Sequence, residues 1–412
     1  KKAMKFMTLL LSFSNFASPL LMPLLSYRMI QITFEYGFCE DSITGLAYMS
    51  HALAHYSDIH LASRVGRIAE ILMSENPNEH SLRARLTATL TTAKIFTEPL
   101  QAVVEFSQNG YQSAKIVGDI DNALVNGMPI GNFFCGSDLV GLQKVLIKFL
   151  LEMNDHKRKG PLHSTMCYFN ACTALIGNEG SETIGAKVQM KTNNELFCIA
   201  GNTQNSYLKH HAIMAEMLVQ YFFRNYLSAS HFAEKYQMNA RTQGRRALDE
   251  ICTFYQGMSA LCLARDTKKE NWRELGEKSI EVIALRAEVC PWNWENKLSL
   301  LKAEIHYLDG RHREAEHAYQ ASISSARKHK FIHEEALAYE LYGIYLIENQ
   351  EARKGTWQLQ MASDRYMEWG AMKKADDVKQ FLKFVNLPAN MWKTKSAENC
   401  GHIKSNDLVF SH

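Results

Sequence analysis

The chain has 412 residues, of which 46% are hydrophobic and 22% charged, with only 8 prolines and 22 glycines. Its 46 basic and 43 acidic residues are interspersed and leave a net charge of +3. This length exceeds one ordinary core and predicts two domains or one extended array. The composition excludes long disordered tracts and the concentrated basic stripe of a nucleic-acid-binding protein.

The most apolar stretch is residues 6–25. Pro19 and Pro23 interrupt it, so the uninterrupted apolar run is too short to span a membrane. Lysines precede it as in a signal peptide, but no small-residue cleavage site follows. We predict a buried helix, a turn marked by proline and the start of a second helix. Because the chain starts with Lys rather than Met, we expect an excised segment of a longer protein.

The nine cysteines are odd in number, widely spaced and never arranged as Cys-x-x-Cys. Most of them have apolar neighbours, as buried free thiols do. The pattern predicts a reducing, cytoplasmic compartment and thiols without a chemical role.

Apolar residues recur at spacings of three and four along most of the chain, which predicts an all-α protein. Breaks fall at Asn76-Pro77-Asn78, at Glu98-Pro99 and at 127–137, and the polar run 154–160 predicts a surface loop. The helices predicted before residue 176 cover 43–56, 62–73, 80–96, 99–118 and 138–153.

Residues 176–206 have the least regular pattern and predict a long loop or insertion. We expect them to separate a degenerate helical-repeat subdomain, 1–175, from a tetratricopeptide-like subdomain, 207–388. After Pro388 the sequence becomes polar and unpatterned, which predicts a disordered tail or linker over 389–412. The helices predicted in the second subdomain cover 207–227, 229–239, 244–264, 270–288, 294–309, 312–329, 333–348, 352–368 and 371–385.

Residues 290–371 carry the strongest pattern, because alanines alternate there with aromatic residues at helical spacing. Glu314-Ala315 recurs 37 residues later as Glu351-Ala352. This spacing is typical of stacked helical hairpins, in which alanine lets two helices approach closely. We therefore predict a right-handed α-solenoid of tetratricopeptide-like hairpins.

Two patterns suggest ligand sites at first inspection. Gly180 to Lys187 resembles a phosphate-binding loop, but Lys comes one residue late and Val188 replaces the required Ser or Thr, so we predict a flexible loop. His51 and His55 share a helix face, but no third metal ligand is evident, and we predict packing or polar-face histidines.

His333-Glu334-Glu335 resembles the start of a zinc-protease motif or a phospho-accepting histidine box. Leu337 stands where the second zinc-binding His belongs, and a packing sequence follows. We interpret Glu334, Glu335 and Glu340 as carboxylates that complement the helix dipole. The sequence therefore predicts no catalytic, cofactor-binding or metal-binding residue.

Several aromatic residues admit two interpretations. They could line a groove that binds a peptide, or they could fill the interfaces between helical hairpins. We favour the packing interpretation. These residues are Trp292, Trp294, Trp357, Tyr366 and Trp369.

One set of residues resembles a known family. It comprises Cys290-Pro291, Lys297, Leu301 to Glu304, Gly310-Arg311, Glu314-Ala315, Tyr319, Ala326, Phe331, His333, Glu335 to Ala338, Glu340-Leu341, Ala362, Tyr366, Trp369 to Ala371 and Lys374. The set resembles the tetratricopeptide-like helical region of very large signalling proteins. In that family a serine/threonine kinase-like domain and a predicted AAA/STAND ATPase precede the helices. A GAF sensor domain and a histidine kinase or nucleotide cyclase follow them.

The resemblance implies a non-catalytic regulatory segment whose partners are the neighbouring ATPase and sensor domains or a separate protein. It implies ATP binding only in those missing domains, because these 412 residues contain no phosphate loop, kinase loop, histidine box or cyclase core. An alternative is a stand-alone scaffold that binds a partner peptide. The positions expected to contact a partner or to define the family motif are Trp292, His333, Glu335, Trp369 and Gly370.

Overall fold

The computed structural model describes residues 1–17, 20–56, 58–127, 130–177, 184, 187–240 and 247–385. Within these ranges every regular element is a helix, so the predicted all-α class is confirmed. The helices before residue 156 are α1 (Lys2–Ala17), α2 (Leu21–Tyr36), α3 (Glu40–Tyr56), α4 (Ile59–Ser74), α5 (Glu79–Lys94), α6 (Leu100–Ile116), α7 (Ile120–Asn126), α8 (Ile130–Phe134) and α9 (Leu139–Asp155).

The remaining helices fill most of the chain up to residue 385. They are α10 (Lys159–Ile176), α11 (Asn193–Asn202), α12 (Ser206–Phe222), α13 (Tyr226–Ala240), α14 (Ala247–Thr267), α15 (Glu270–Val289), α16 (Pro291–Leu308), α17 (His312–Lys328), α18 (Ile332–Glu348), α19 (Ala352–Glu368) and α20 (Met372–Val385).

Consecutive helices pack against each other through most of the chain. From α10 onward a second set of contacts joins alternate helices: α10 touches α12, and the pattern repeats through α14, α16 and α18. The last helix, α20, packs back on α10. From α10 onward these contacts define an inner layer of even-numbered helices and an outer layer of odd-numbered ones, whereas before α8 the alternate contacts join the odd-numbered helices α1, α3, α5 and α7. The tetratricopeptide-like class and the right-handed superhelix stay predictions.

The two layers follow from the sequences of their helices. In α18, 14 of 17 residues are buried, including His333 and three glutamates, so this helix is enclosed by others on all sides. In α17, Ala315, Ala318 and Tyr319 are buried while Arg313 and His317 are exposed. A helix with one apolar stripe of this kind covers a core and presents its polar face to water.

The two largest clusters of buried apolar residues lie among α1–α5 and, larger still, from Leu100 to Leu382. The larger cluster includes Tyr168 of α10, Leu196 of α11 and Ala212 of α12. Apolar packing therefore continues from one side of the segment 176–206 to the other. The division into subdomains at that segment stays a prediction.

Two predicted irregular segments contain more helix than expected. Within 176–206, α11 begins at a capping box in which the Thr192 side chain accepts from the Glu195 backbone and the Glu195 side chain accepts from the Thr192 backbone. The predicted loop 154–160 is shortened because α10 begins at Lys159. Most of the loop Gly180–Lys187 and the whole predicted tail 389–412 lie outside the described residues.

Within the apolar stretch 6–25, α1 ends at Ala17 and α2 begins at Leu21, so the two predicted helices are present. Residues 18 and 19 of the predicted turn lie outside the described residues. The prediction that the first helix is buried was wrong, because Phe6 is 62% and Phe13 71% exposed. Only the opposite side of α1, with Met4 and Leu11, packs into the core. Among the described helices, none combines the length and the apolar content that a membrane crossing requires.

Candidate functional site

The five predicted contact positions lie mainly inside the protein. His333 and Glu335, in the first turn of α18, are 2% and 4% exposed. Trp369 and Gly370, directly after α19, are both buried, and Trp292 in the first turn of α16 is partly buried. Four of the five are therefore enclosed by the chain itself.

Trp369 and Gly370 pack against the segment that leads into α9. The Trp369 carbonyl accepts a 2.8 Å hydrogen bond from the Leu139 backbone N–H, and its ring packs edge-on against Phe133 at 6.0 Å between centroids. Gly370 has φ +88°, and a Cβ atom there would lie 2.9 Å from Asp138 Oδ1. Both the backbone conformation and the close approach therefore require glycine.

His333 reaches the same segment from α18. Its ring lies 5.2 Å from the Trp369 ring, and its Nδ1 would be 2.9 Å from a Cβ atom placed on Gly136. Burial lowers the pKa of His333 to about 4, despite the opposing effect of Glu334. The imidazole is therefore neutral at physiological pH, and it serves as a packing group against an aromatic ring.

The connection between α5 and α6 is held by polar contacts from the C-terminal helices. Asn293 accepts from the Leu100 backbone N–H at 3.0 Å and donates to the Glu98 carbonyl at 2.8 Å. Gln101 donates to the His329 carbonyl at 3.0 Å. The Asn293 bonds satisfy the Leu100 N–H at the start of α6 and the Glu98 carbonyl just before it, and the Gln101 bond satisfies the His329 carbonyl at the end of α17.

A buried ion pair lies beside these bonds. Lys297 Nζ is 2.7 Å from Glu334 and 2.8 Å from the Asn293 carbonyl, and it also lies 4.4 Å from the centre of the Phe331 ring. Burial lowers the pKa of Lys297, and the Glu334 carboxylate acts in the opposite direction. Pairing with hydrogen bonds is the condition under which such charges remain in an interior.

Around this ion pair lies a small cavity of about 30 Å³. Leu100, Phe134, Tyr255, Trp294 and Phe331 contribute its apolar walls. The space suits one or two water molecules. A nucleotide or a peptide would not fit without rearrangement of the walls.

We call these contacts together the junction. It joins residues 98–101 and 131–140 to residues 290–297, 329–335 and 369–370. Contacting residues of the junction are up to 236 positions apart in sequence, the separation of Phe133 and Trp369. The junction therefore brings segments that are distant in sequence into direct contact.

A second group of buried charges lies between α12, α18 and α20. Glu340 is 2.7 Å from Lys374, accepts from the Tyr366 hydroxyl at 2.8 Å and pairs with Arg224. Burial raises the pKa of Glu340, but Lys374 and Arg224 outweigh it, and the pKa lies below its usual value. Arg224 also pairs with Asp377 at 2.8 Å.

These pairs correct our interpretation of the α18 carboxylates as helix-dipole partners. Glu334 and Glu335 do lie in the first turn, but both are buried and paired, Glu335 with Arg327 at 2.8 Å. Glu340 lies in the middle of the helix, beyond the reach of the terminal dipole. Their main partners are cations on other helices.

The aromatic residues divide into two groups. Trp294, Tyr366 and Trp369 are at most 6% exposed and fill helix interfaces, in agreement with the packing interpretation. Trp357 on α19 is 58% exposed. Trp292 lies between these extremes.

His51 and His55 stack with ring centroids 4.1 Å apart. His51 Nδ1 lies 2.6 Å from the Thr92 hydroxyl, and burial lowers the pKa of His51 well below its usual value. Within the described part of the chain, no group of three His, Cys, Asp or Glu side chains is placed to hold a metal ion. These contacts fit histidines that pack α3 against α5.

No family model matches this sequence, and no curated protein matches it either. The likeness to the helical region of ATPase-linked signalling proteins therefore depends on the residues quoted above.

Proposed function

We propose that this chain is a non-catalytic regulatory segment of a multidomain, ATPase-linked signalling kinase or nucleotide cyclase. Its helices would contact the neighbouring ATPase and sensor domains of the same polypeptide. A movement at one domain contact would be transmitted through the junction to the other domain contact. It would thereby shift the equilibrium between an inactive and an active state of the protein.

The observation that supports this proposal is the position of the motif residues. His333, Trp369 and Gly370, which carry the resemblance, all contact residues 131–140 of the same chain. Tight packing of this kind favours discrete arrangements over gradual deformation, because close-packed interfaces do not stretch continuously. A regulatory segment needs such an element.

The alternative, a scaffold that binds a peptide through its aromatic residues, has less support. Trp294, Tyr366 and Trp369 would be the anchors of such a groove, yet they are buried in helix interfaces. A peptide could reach them only after the junction had opened.

The first test is the sequence of the reading frame that encodes this segment. We expect a phosphate-binding loop upstream and a kinase or cyclase domain downstream. A reading frame that encodes these helices alone would contradict the proposal.

The second test is the variant Gly136→Ala in the protein that carries the flanking domains. Gly136 has φ +78° and approaches His333 Nδ1, whereas Gly118 has φ +72° and nothing within 4 Å of the position that a methyl group would take. Gly118→Ala is therefore a control for backbone strain alone. We expect Gly136→Ala, and not Gly118→Ala, to change the basal rate of ATP hydrolysis or of the output reaction. Equal rates in the two folded variants would count against coupling through the junction.

A further inference from the structure

Three buried polar side chains around the cavity beside the junction have unused hydrogen-bonding capacity. They are Tyr255 on α14, Lys297 on α16 and Glu334 on α18, and they are 2%, 5% and 3% exposed. All three line the cavity of about 30 Å³. Buried polar groups without a partner are rare in proteins, because each one costs stability. Three such groups around one cavity therefore require a bound partner.

Glu334 uses only one of its two carboxylate oxygens. Its Oε2 accepts from Lys297 Nζ at 2.7 Å and from the Asn296 side chain. Its Oε1 lies 3.6 Å from His333 Nε2, beyond hydrogen-bond distance, and no described residue donates to it. A carboxylate oxygen readily accepts two hydrogen bonds. The buried Oε1 atom therefore needs a donor.

The other two groups have donors to offer. Lys297 Nζ bonds Glu334 and the Asn293 carbonyl, which leaves one N–H of the ammonium without an oxygen acceptor among the described residues. The Tyr255 hydroxyl has no hydrogen-bond partner in the described part of the chain. Burial raises the pKa of Tyr255, and the nearby Glu334 carboxylate raises it further. The hydroxyl and the carboxylate are therefore neighbours that do not bond directly.

Size and charge restrict what the cavity can hold. One water molecule needs about 10 to 15 Å³, so a cavity of about 30 Å³ admits two. An ion of either sign would face a like charge, because Lys297 and Glu334 are both close. An apolar molecule would leave the three polar groups unpaired. Only a small neutral molecule that both donates and accepts hydrogen bonds meets these conditions.

We propose that the cavity binds two water molecules, which join the Tyr255 hydroxyl to the Glu334 carboxylate and accept from Lys297. Hydrogen bonds through water are nearly as favourable as direct ones. The water bridge links α14 to α16 and α18, behind walls that Leu100 and Phe134 contribute from the other side of the junction. This site does not depend on the proposed regulatory function.

The first test compares two buried tyrosines whose ring centroids are 4.9 Å apart. Tyr255→Phe removes one partner of the water bridge, so we expect the equilibrium constant for folding, measured by urea unfolding, to fall about 5- to 10-fold. Tyr221→Phe is the matched control, because the Tyr221 hydroxyl is buried without a partner and does not line the cavity. It should leave the constant unchanged or raise it. A Tyr255→Phe variant at least as stable as Tyr221→Phe would overturn the proposal.

The second test is a crystal structure of the chain at a resolution that shows ordered water. We expect two water molecules in the cavity, with hydrogen bonds to the Tyr255 hydroxyl, Glu334 Oε1 and Lys297 Nζ. The water beside residue 255 should be lost in Tyr255→Phe and retained in Tyr221→Phe. A cavity without electron density, or one that holds a larger organic molecule, would overturn the proposal.

Discussion

Lys297 and Glu334 form an ion pair in which both side chains are at most 6% exposed. We expect Lys297→Met to lower the free energy of unfolding by about 3 to 5 kcal/mol, because it leaves the Glu334 carboxylate buried without its cation. The loss should appear as a lower midpoint of urea unfolding followed by circular dichroism.

The double variant Lys297→Met/Glu334→Leu separates the contribution of the ion pair to stability from the contribution of side-chain packing. It should lose less stability than the sum of the two single variants, because no unpaired charge remains. Lys379→Met removes a lysine that is 40% exposed and 3.8 Å from Asp376, and should cost under about 1 kcal/mol. If the double variant lost as much unfolding free energy as the two single variants together, Lys297 and Glu334 would not stabilise each other.

His333 makes stability depend on pH. Burial lowers its folded-state pKa to about 4 from an ordinary value of 6.5, so the unfolded chain binds more protons between these values. Stability therefore falls as the pH decreases from 6.5 to 4, by about 3 kcal/mol for this one group. We expect His333→Asn to reduce the slope of unfolding free energy against pH across this window.

The exposed His317 on α17 supplies the control, since His317→Asn should leave that slope unchanged. Buried His51 contributes a slope of the same sign in every variant, because its pKa is also lowered by burial. An unchanged slope in His333→Asn would mean that the imidazole is not held neutral by the folded protein.

Residue-scale contacts were the part of the site that the sequence could not predict. The patterns singled out His333, Trp369 and Gly370 but not what they touch, because Gly136 and Asp138 lie about 200 positions away or more. Lys297 and Lys374 belong to the set of residues that carries the family resemblance, but nothing in the sequence marked them as buried cations. Only the folded arrangement identifies their carboxylate partners.

At the scale of elements, the sequence predicted most helices within a few residues of their ends. Hydrophobic periodicity predicts a helix reliably where one face of that helix is buried, and proline or glycine marks the breaks between helices. The helix α11 was missed because its ten residues are short and polar, although the Thr192-x-x-Glu195 capping box was a readable signal for its start. The five-residue α8 is too short to show a period.

Substitution of the glycine that follows α19 tests how much the close packing of two elements contributes to stability. Gly370→Ala should cost about 2 to 4 kcal/mol, because the methyl group meets Asp138 and the Leu139 backbone in addition to the strain of a positive φ. Gly310 after α16 has φ +69° and open space around it, so Gly310→Ala should cost only the strain, about 1 kcal/mol. Equal unfolding midpoints for the two variants would show that the close approach is absent.

The whole molecule combines local and distant contacts. A simple repeat array is held only by neighbouring repeats, so its stability is a sum of local terms. Here α20 also packs on α10, and the junction ties residues near 100 and 135 to the C-terminal helices. We expect such long-range contacts to make distant helices unfold together and to let a disturbance at one side reach the other.

Asn293 tests that coupling, because one side chain holds both the Glu98 carbonyl and the Leu100 backbone N–H. We expect Asn293→Ala to cost about 1 to 3 kcal/mol, since it leaves the buried Leu100 N–H without a partner. By native-state hydrogen exchange, the amides at the start of α6 should exchange at least about 10-fold faster, as should those at the start of α16.

Asn225→Ala is the matched control, because the Asn225 side chain donates to the nearby Gln220 side chain at 3.0 Å and, among the described residues, to none that is distant in sequence. It should leave exchange in α6 and α16 unchanged. If Asn293→Ala accelerated exchange in α16 while α6 kept its protection, the two sides would be stabilised independently. Faster exchange on both sides would establish the junction as a cooperative link across nearly 200 residues of sequence.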